Sequence, residues 1–139
     1  HEFIEKFNDK IEFDIFGGLT SGNSGYKPIT CKSEGLSKYR FSIVIENVKK
    51  DFFFTEKIVD CFLTGTVPIY WGANNISDYF DSGGIINFSK LEDLDQIIEK
   101  LNVETYNKMF QHVKNNFDIA SKYKTVEDFM YENFINKHV

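Results

Sequence analysis

Cysteine is scarce in this chain and basic charge is in deficit. Cys31 and Cys61 stand alone, with no Cys-x-x-Cys pair and no His/Cys cluster, so neither a disulfide framework nor a zinc site is expected. Cys61 lies inside an apolar run and reads as a small core residue. So few cysteines fit a reducing compartment. The formal net charge of −5 argues against a broad nucleic-acid surface, because such domains present a basic face. A local cluster of cations around a small anion stays open. No stretch reaches the ~18 consecutive apolar residues of a membrane span, and no signal peptide is visible. His1-Glu2 is no natural start, so the chain is expected to be cut from something longer. Internal repeats and low-complexity tracts are also missing.

What remains is a chain of 139 residues, about one domain by length, so a single unit over 1–139 is expected. Aromatic residues make up 17%, and 15 of them are Phe, so most must be core. Hydrophobic periodicity outlines the elements. EFIEKFND (2–9) places Phe3, Ile4 and Phe7 on one helical face. IEFDIF (11–16) alternates as a strand and stops at Gly17-Gly18, and a Gly/Ser/Thr loop covers about 17–32. One helical turn is expected in 32–38. RFSIVIEN (40–47) reads as a buried strand. Residues 55–64 form a helix with Gly65 as its stop. VPIYWG (67–72) is a strand, with Pro68 confined to its start or an edge. A short helix over 75–81, a strand over 84–88 and helices over 90–101, 103–118 and 125–137 complete the order.

Strands alternating with helices predict an α/β fold: a Rossmann-like parallel sheet flanked by helices on both faces. In such sheets ligands collect at the carboxyl ends of the strands. Glu46-Asn47 ends one strand, and Thr55-Glu56-Lys57 opens the helix that follows. Glu56 suits the positive end of a helix; Lys57 does not. An anion at the helix mouth would accept the free backbone N–H groups and the Lys57 ammonium together. Glu56 would then accept from hydroxyls such as those of a ribose. Two plainer readings stand beside this one. Glu56 and Lys57 could be a solvated first turn, and Glu46 a structural acid paired with Lys49 or Lys50. Phe52 to Phe54 read as core. Asp93-Leu94-Asp95 reads as a surface pair within its helix, not a metal site. The sequons at Asn75 and Asn87 read as chance.

The run YRFSIVIENVKKDFFFTEKIVDCFLTGTVPIYWG (39–72) closely resembles the signature of family 10 glycosyltransferases, the α-1,3-fucosyltransferases. Gly17-Gly18, Gly25-Tyr26-Lys27, Lys32-Ser33-Glu34 and the 75–88 stretch extend the likeness. The resemblance implies the C-terminal half of a two-domain GT-B enzyme, with GDP-fucose bound here. The acceptor glycan and the catalytic base would belong to the N-terminal half, so no catalytic residue is assigned to this chain. By the same resemblance Glu56 holds the ribose and Lys57 meets phosphate. Glu46 and Asn47 lie near the phosphates and the fucose, and Thr55 belongs to the same motif. Phe53 stands where many bacterial relatives have Tyr, which removes a hydroxyl contact. The family's phosphate-binding Arg would precede His1. The resemblance implies inverting transfer, with no metal or other cofactor, because cationic side chains and amides can stabilise the departing GDP. A bacterial-style cytoplasmic location is expected, or the Golgi lumen for a eukaryotic protein, with membrane association of the full-length protein left open. Two rivals remain: a non-catalytic nucleotide- or glycan-binding module of the same fold, and a flavodoxin-like or receiver domain. The irregular loop after the first strand argues against the second.

Overall fold

The fold follows from two strands that are apolar on both sides. A computed structural model describes residues 6–7, 12–16, 26–27 and 31–122. In it, β1 (Ile15–Phe16) pairs in parallel with β2 (Tyr26–Lys27) as a small separate sheet. A helix α1 (Lys32–Leu36) then leads into β3 (Phe41–Ile45), α2 (Glu56–Leu63), β4 (Val67–Trp71), β5 (Ile86–Asn87), α3 (Asp93–Glu99) and α4 (Val103–Ala120). The main sheet has the order β3-β4-β5, all parallel.

Alternation along β3 and β4 divides the core between the two sheet faces. Val44 and Tyr70 join Phe54, Ile58, Cys61, Phe62, Ile76 and Phe80 under α2 and the end of α4. Ile43, Ile69 and Trp71 face the other way, toward Phe7, Phe88 and Leu94 of the α3 side. Such double covering is what continuous β-rich runs require of a parallel sheet.

Pro68 sits in the central strand of this sheet, and the ladder explains why it is tolerated there. The Val67 N–H donates to Arg40 O at 2.8 Å and the Glu46 N–H to Trp71 O at 2.9 Å, so odd positions of β4 address β3. The Phe88 N–H donates to Tyr70 O, so even positions address β5. The β4–β5 register begins at Ile69, one residue past Pro68. The missing N–H therefore faces a stretch where no partner strand has begun.

Gly65 stops α2 as expected, with φ of 71°. The Gly65 N–H reaches Phe62 O and the Thr66 N–H reaches Cys61 O, the double closure of a Schellman motif. Thr66 is fully buried, and its hydroxyl lies 3.1 Å from both Leu36 O and Tyr39 O, which fastens the end of α1 to the start of β4.

Several expected boundaries shift. The 75–81 segment is a single 3-10 turn, Ile76–Asp78, and the strand expected over 84–88 keeps only Ile86–Asn87. The helix over 90–101 contracts to α3. Asp93 therefore lies in its first turn rather than mid-helix, accepting from the Ser89 and Lys90 N–H groups. Asp95 pairs with Lys6 at 2.8 Å. The helix expected over 125–137 and most of the helix over 2–9 and of the loop over 17–32 lie outside the described residues.

A polar knot seats α4. Asn116, fully buried, accepts from the Asp81 N–H and donates to Asp81 O. The Asp81 carboxylate accepts from Asn115 and from the Gly83 N–H and lies 2.8 Å from His112 Nδ1. Asn115 foremost, helped by His112 and the Gly83 amide against the cost of desolvation, holds the Asp81 carboxyl below its usual range.

Candidate donor site at the carboxyl edge

β3 ends at Ile45, and the next side chain, Glu46, turns inward beneath the start of α2. It is 2% exposed. Its Oε1 accepts the Thr55 N–H at 2.9 Å, and its Oε2 accepts the Thr55 hydroxyl at 2.8 Å. Thr55 is also the N-cap of α2, its hydroxyl receiving the Lys57 N–H. One carboxylate thus joins the strand's carboxyl end to the helix's amino end.

Lys57 completes this junction. Its ammonium donates to Ile45 O at 3.1 Å and to Asn47 Oδ1 at 3.3 Å, and lies 3.6 Å from Glu46 Oε2. A cation in the first turn of a helix is unfavourable by a few tenths of a kcal/mol. Here the buried carboxylate and the terminal strand carbonyl offset that cost within the protein. The base paired with Glu46 is therefore Lys57, neither Lys49 nor Lys50. Lys49 instead lies 6.0 Å from the Trp71 ring centroid, at the end of β4.

Glu56 points elsewhere than Lys57. Its Oε1 accepts from Lys32 at 2.9 Å, and Lys32 also lies 3.2 Å from Asp60 Oδ2. The Lys32 hydrogen bond, supported by Glu56's own backbone amide, lowers the Glu56 carboxyl against desolvation. Sequence reasoning gave Lys32 no contact with Glu56, because the two are far apart in the chain and no local pattern links them.

Tyr70 and Gly72 support Glu46 from β4. A Cβ at Gly72 would fall 2.2 Å from the Tyr70 hydroxyl oxygen and 2.7 Å from Glu46 Cγ, so only glycine fits between them. The Tyr70 hydroxyl accepts the Ala73 N–H at 3.0 Å. Burial first, with the neighbouring Glu46 charge adding to it, pushes its pKa up to about 12.

The three phenylalanines divide. Phe54 is core, but Phe52 and Phe53 are exposed, which corrects the expectation for two of them. Phe52 takes φ of 64°, and its N–H donates to Asn75 Oδ1 at 2.8 Å. Asn74 donates to Asp51 at 2.8 Å, so the 47–53 loop is tied to the segment after β4. Phe53 is consequently held at the rim beside Thr55. Of the residues picked out from sequence, Glu46, Asn47, Thr55 and Lys57 come together, Phe53 borders them, and Glu56 faces α1. Among the described residues no group of three or more His, Cys, Asp or Glu side chains is placed to hold a metal ion. No helix among them is long and apolar enough to cross a membrane.

Comparison with known proteins agrees with this architecture. The family described as "Glycosyltransferase family 10 (fucosyltransferase) C-term" matches residues 1–136. An α-(1,3)-fucosyltransferase of Helicobacter pylori is 32% identical over 97 residues, covering 70% of this chain and 20% of that protein. α-(1,3)-Fucosyltransferase B of Drosophila melanogaster is 30% identical over 99 residues, covering 67% of this chain and 22% of that protein. The chain therefore spans about a fifth of the length of these relatives. Crystal structures of an α1,3-fucosyltransferase with GDP and with GDP-fucose superpose with a TM-score of 0.64 at 24% identity, over 44% of their length. They cover 90% and 89% of this chain, and at that identity they establish the fold. The chain belongs to glycosyltransferase family 10, the fucosyltransferases, and corresponds to the C-terminal domain of that family.

Proposed function

We propose that this domain binds GDP-fucose at the carboxyl edge of the main sheet, where β3 hands over to α2. In the full-length protein it would serve inverting transfer of fucose to a glycan hydroxyl. The observation that carries this reading is the position of Lys57. A cation sits over the last carbonyl of β3, at the amino end of an eight-residue helix, in a chain of the fucosyltransferase family. Diphosphate charge there would meet the Lys57 ammonium and the helix dipole together. Asn47 is exposed and holds Lys57 only at 3.3 Å, so its amide can give way to a phosphate oxygen. Glu46 is buried and stays, fixing the ammonium's direction. Lys49, over Trp71, brings a second cation to the same edge.

The chemistry this arrangement supports is departure of the nucleotide. As the anomeric carbon gains oxocarbenium character, negative charge grows on the diphosphate. A fixed ammonium aimed at that charge stabilises the transition state more than the ground state. A base to deprotonate the acceptor hydroxyl is assigned to the N-terminal half, and no metal or other cofactor is invoked. Residues 1–139 are read as one donor-binding unit. The low cysteine content favours a cytoplasmic, bacterial-style location.

Calorimetry with GDP on the full-length protein tests the site. Saturable binding is expected, weakened at least tenfold in Lys57→Ala, which also removes transfer. Unchanged turnover in a folded Lys57→Ala variant refutes the phosphate role.

A further inference from the structure

Glu56 and Asp60 stand four residues apart in α2, so their carboxylates share one helical face. Two acids at that spacing repel, and each alone would turn away toward solvent. Lys32, the first residue of α1, sits between them. Its ammonium is 2.9 Å from Glu56 Oε1 and 3.2 Å from Asp60 Oδ2. Against the cost of desolvation, the hydrogen bond to Glu56 and the close Asp60 carboxylate raise the Lys32 pKa. Asp60 Oδ2 is buried and has no hydrogen bond of good geometry, so the ammonium is its close charge partner. Asp60 thereby keeps Lys32 in place, and Lys32 in turn fixes Glu56.

We infer that Lys32 is a positioning residue for nucleotide recognition, presenting the Glu56 carboxylate to the ribose hydroxyls of the donor. The inference rests on the GDP-fucose reading of this edge. A carboxylate offers about four lone-pair directions, and Lys32 engages Oε1. More than half of the Glu56 side chain is exposed, which leaves room for a sugar hydroxyl to donate to it. Lys32 itself contacts no part of the Lys57 junction among the described hydrogen bonds. Its effect should therefore be confined to the ribose and leave the phosphate end untouched.

The test compares GDP with 2′,3′-dideoxy-GDP, which lacks both ribose hydroxyls, on the full-length protein. Unaltered protein should bind GDP more tightly than the dideoxy nucleotide. Lys32→Met should weaken GDP binding by about five- to tenfold, the effect of one hydrogen bond of ordinary strength, without changing affinity for the dideoxy form. Lys32→Arg should restore the preference. Lys32→Met added to Glu56→Gln should cost nothing more. In transfer assays the loss should appear in KM for GDP-fucose, with kcat retained. Wild-type affinity for GDP in Lys32→Met overturns the inference, as does equal weakening of both nucleotides. Absence of GDP binding by the unaltered protein sinks the donor site itself, a different outcome from binding that ignores Lys32.

Discussion

Glu46 grips Thr55 twice, through its backbone N–H at 2.9 Å and its hydroxyl at 2.8 Å. The strand that precedes the site and the helix that forms it therefore cannot move independently. Lys57 joins the same carboxylate, so three residues that sequence reasoning assigned to a ligand also hold one another. A site assembled in this way is stiff before any ligand arrives, which lowers the ordering cost of binding.

Truncating Glu46 should expose how much stability this junction carries. Glu46→Ala leaves the Thr55 N–H without its acceptor and Lys57 without its counter-charge. Loss of about 2–4 kcal/mol is expected, the range for breaking a buried, hydrogen-bonded ion pair whose partner is partly solvated. Glu46→Gln keeps an acceptor for the Thr55 N–H, and the Thr55 hydroxyl can reverse its role. It should cost clearly less. Urea denaturation of both variants measures the difference, and equal losses would contradict the assignment.

Gly72 should tolerate no side chain. An added methyl would have to displace the Tyr70 ring or the Glu46 stem, both buried. Gly72→Ala is expected to destabilise by about 1–3 kcal/mol, as overpacking of a filled interior does. Because one of the displaced groups is Glu46, the same substitution should weaken GDP binding. A stable variant with unchanged nucleotide affinity would show that the space between Tyr70 and Glu46 is less constrained than its distances imply.

The β-α alternation was legible because long apolar runs with β-branched residues leave few other readings. Gly65 was legible because a helix stop of that kind favours glycine. Cys61 proved to be core for the reason given, its place in an apolar run. What could not be read was determined by contacts distant in sequence. Lys32 meets Glu56 only because α1 lies against α2. Phe52 and Phe53 looked like core from hydrophobicity alone. Their exposure follows from a left-handed residue held by Asn75, which no local pattern announces. Glu46 had two lysines close by in sequence, yet the chain's turn after β3 sends Lys49 to Trp71 and leaves Lys57 as the partner. β5 is shorter than expected because a 3-10 turn over Ser82–Gly84, tied down through Asp81 and Asn116, takes up the start of the expected strand.

Acid should loosen α4 through Asp81. Its folded pKa lies below the ordinary value of 3.8, so the folded state binds this proton more weakly than the unfolded chain does. The stabilisation is therefore complete above that value and is lost as pH falls through the lower, folded one. Asp81→Asn removes the titration while leaving an acceptor for the Gly83 N–H. Stability of the unaltered protein should fall more steeply below about pH 4 than that of the variant. Parallel curves for the two proteins across that window would assign the acid sensitivity to other carboxylates.

The two thiols should differ sharply in reactivity. Cys61 is buried beneath α2, and that burial pushes its pKa up to about 12, so hardly any thiolate forms near neutral pH. Cys31 is exposed, and the Ser33 hydroxyl, with the Glu34 amide, draws its pKa down. An aromatic disulfide reagent at pH 7.5 should therefore modify Cys31 rapidly in the native protein and reach Cys61 only after denaturation. Variants that destabilise the core under α2, Gly72→Ala among them, should speed the slow reaction in proportion to their loss of stability, because Cys61 then reacts through transient unfolding. Fast native labelling of Cys61 would mean that α2 leaves the sheet far more readily than its packing against Tyr70 and Phe80 allows.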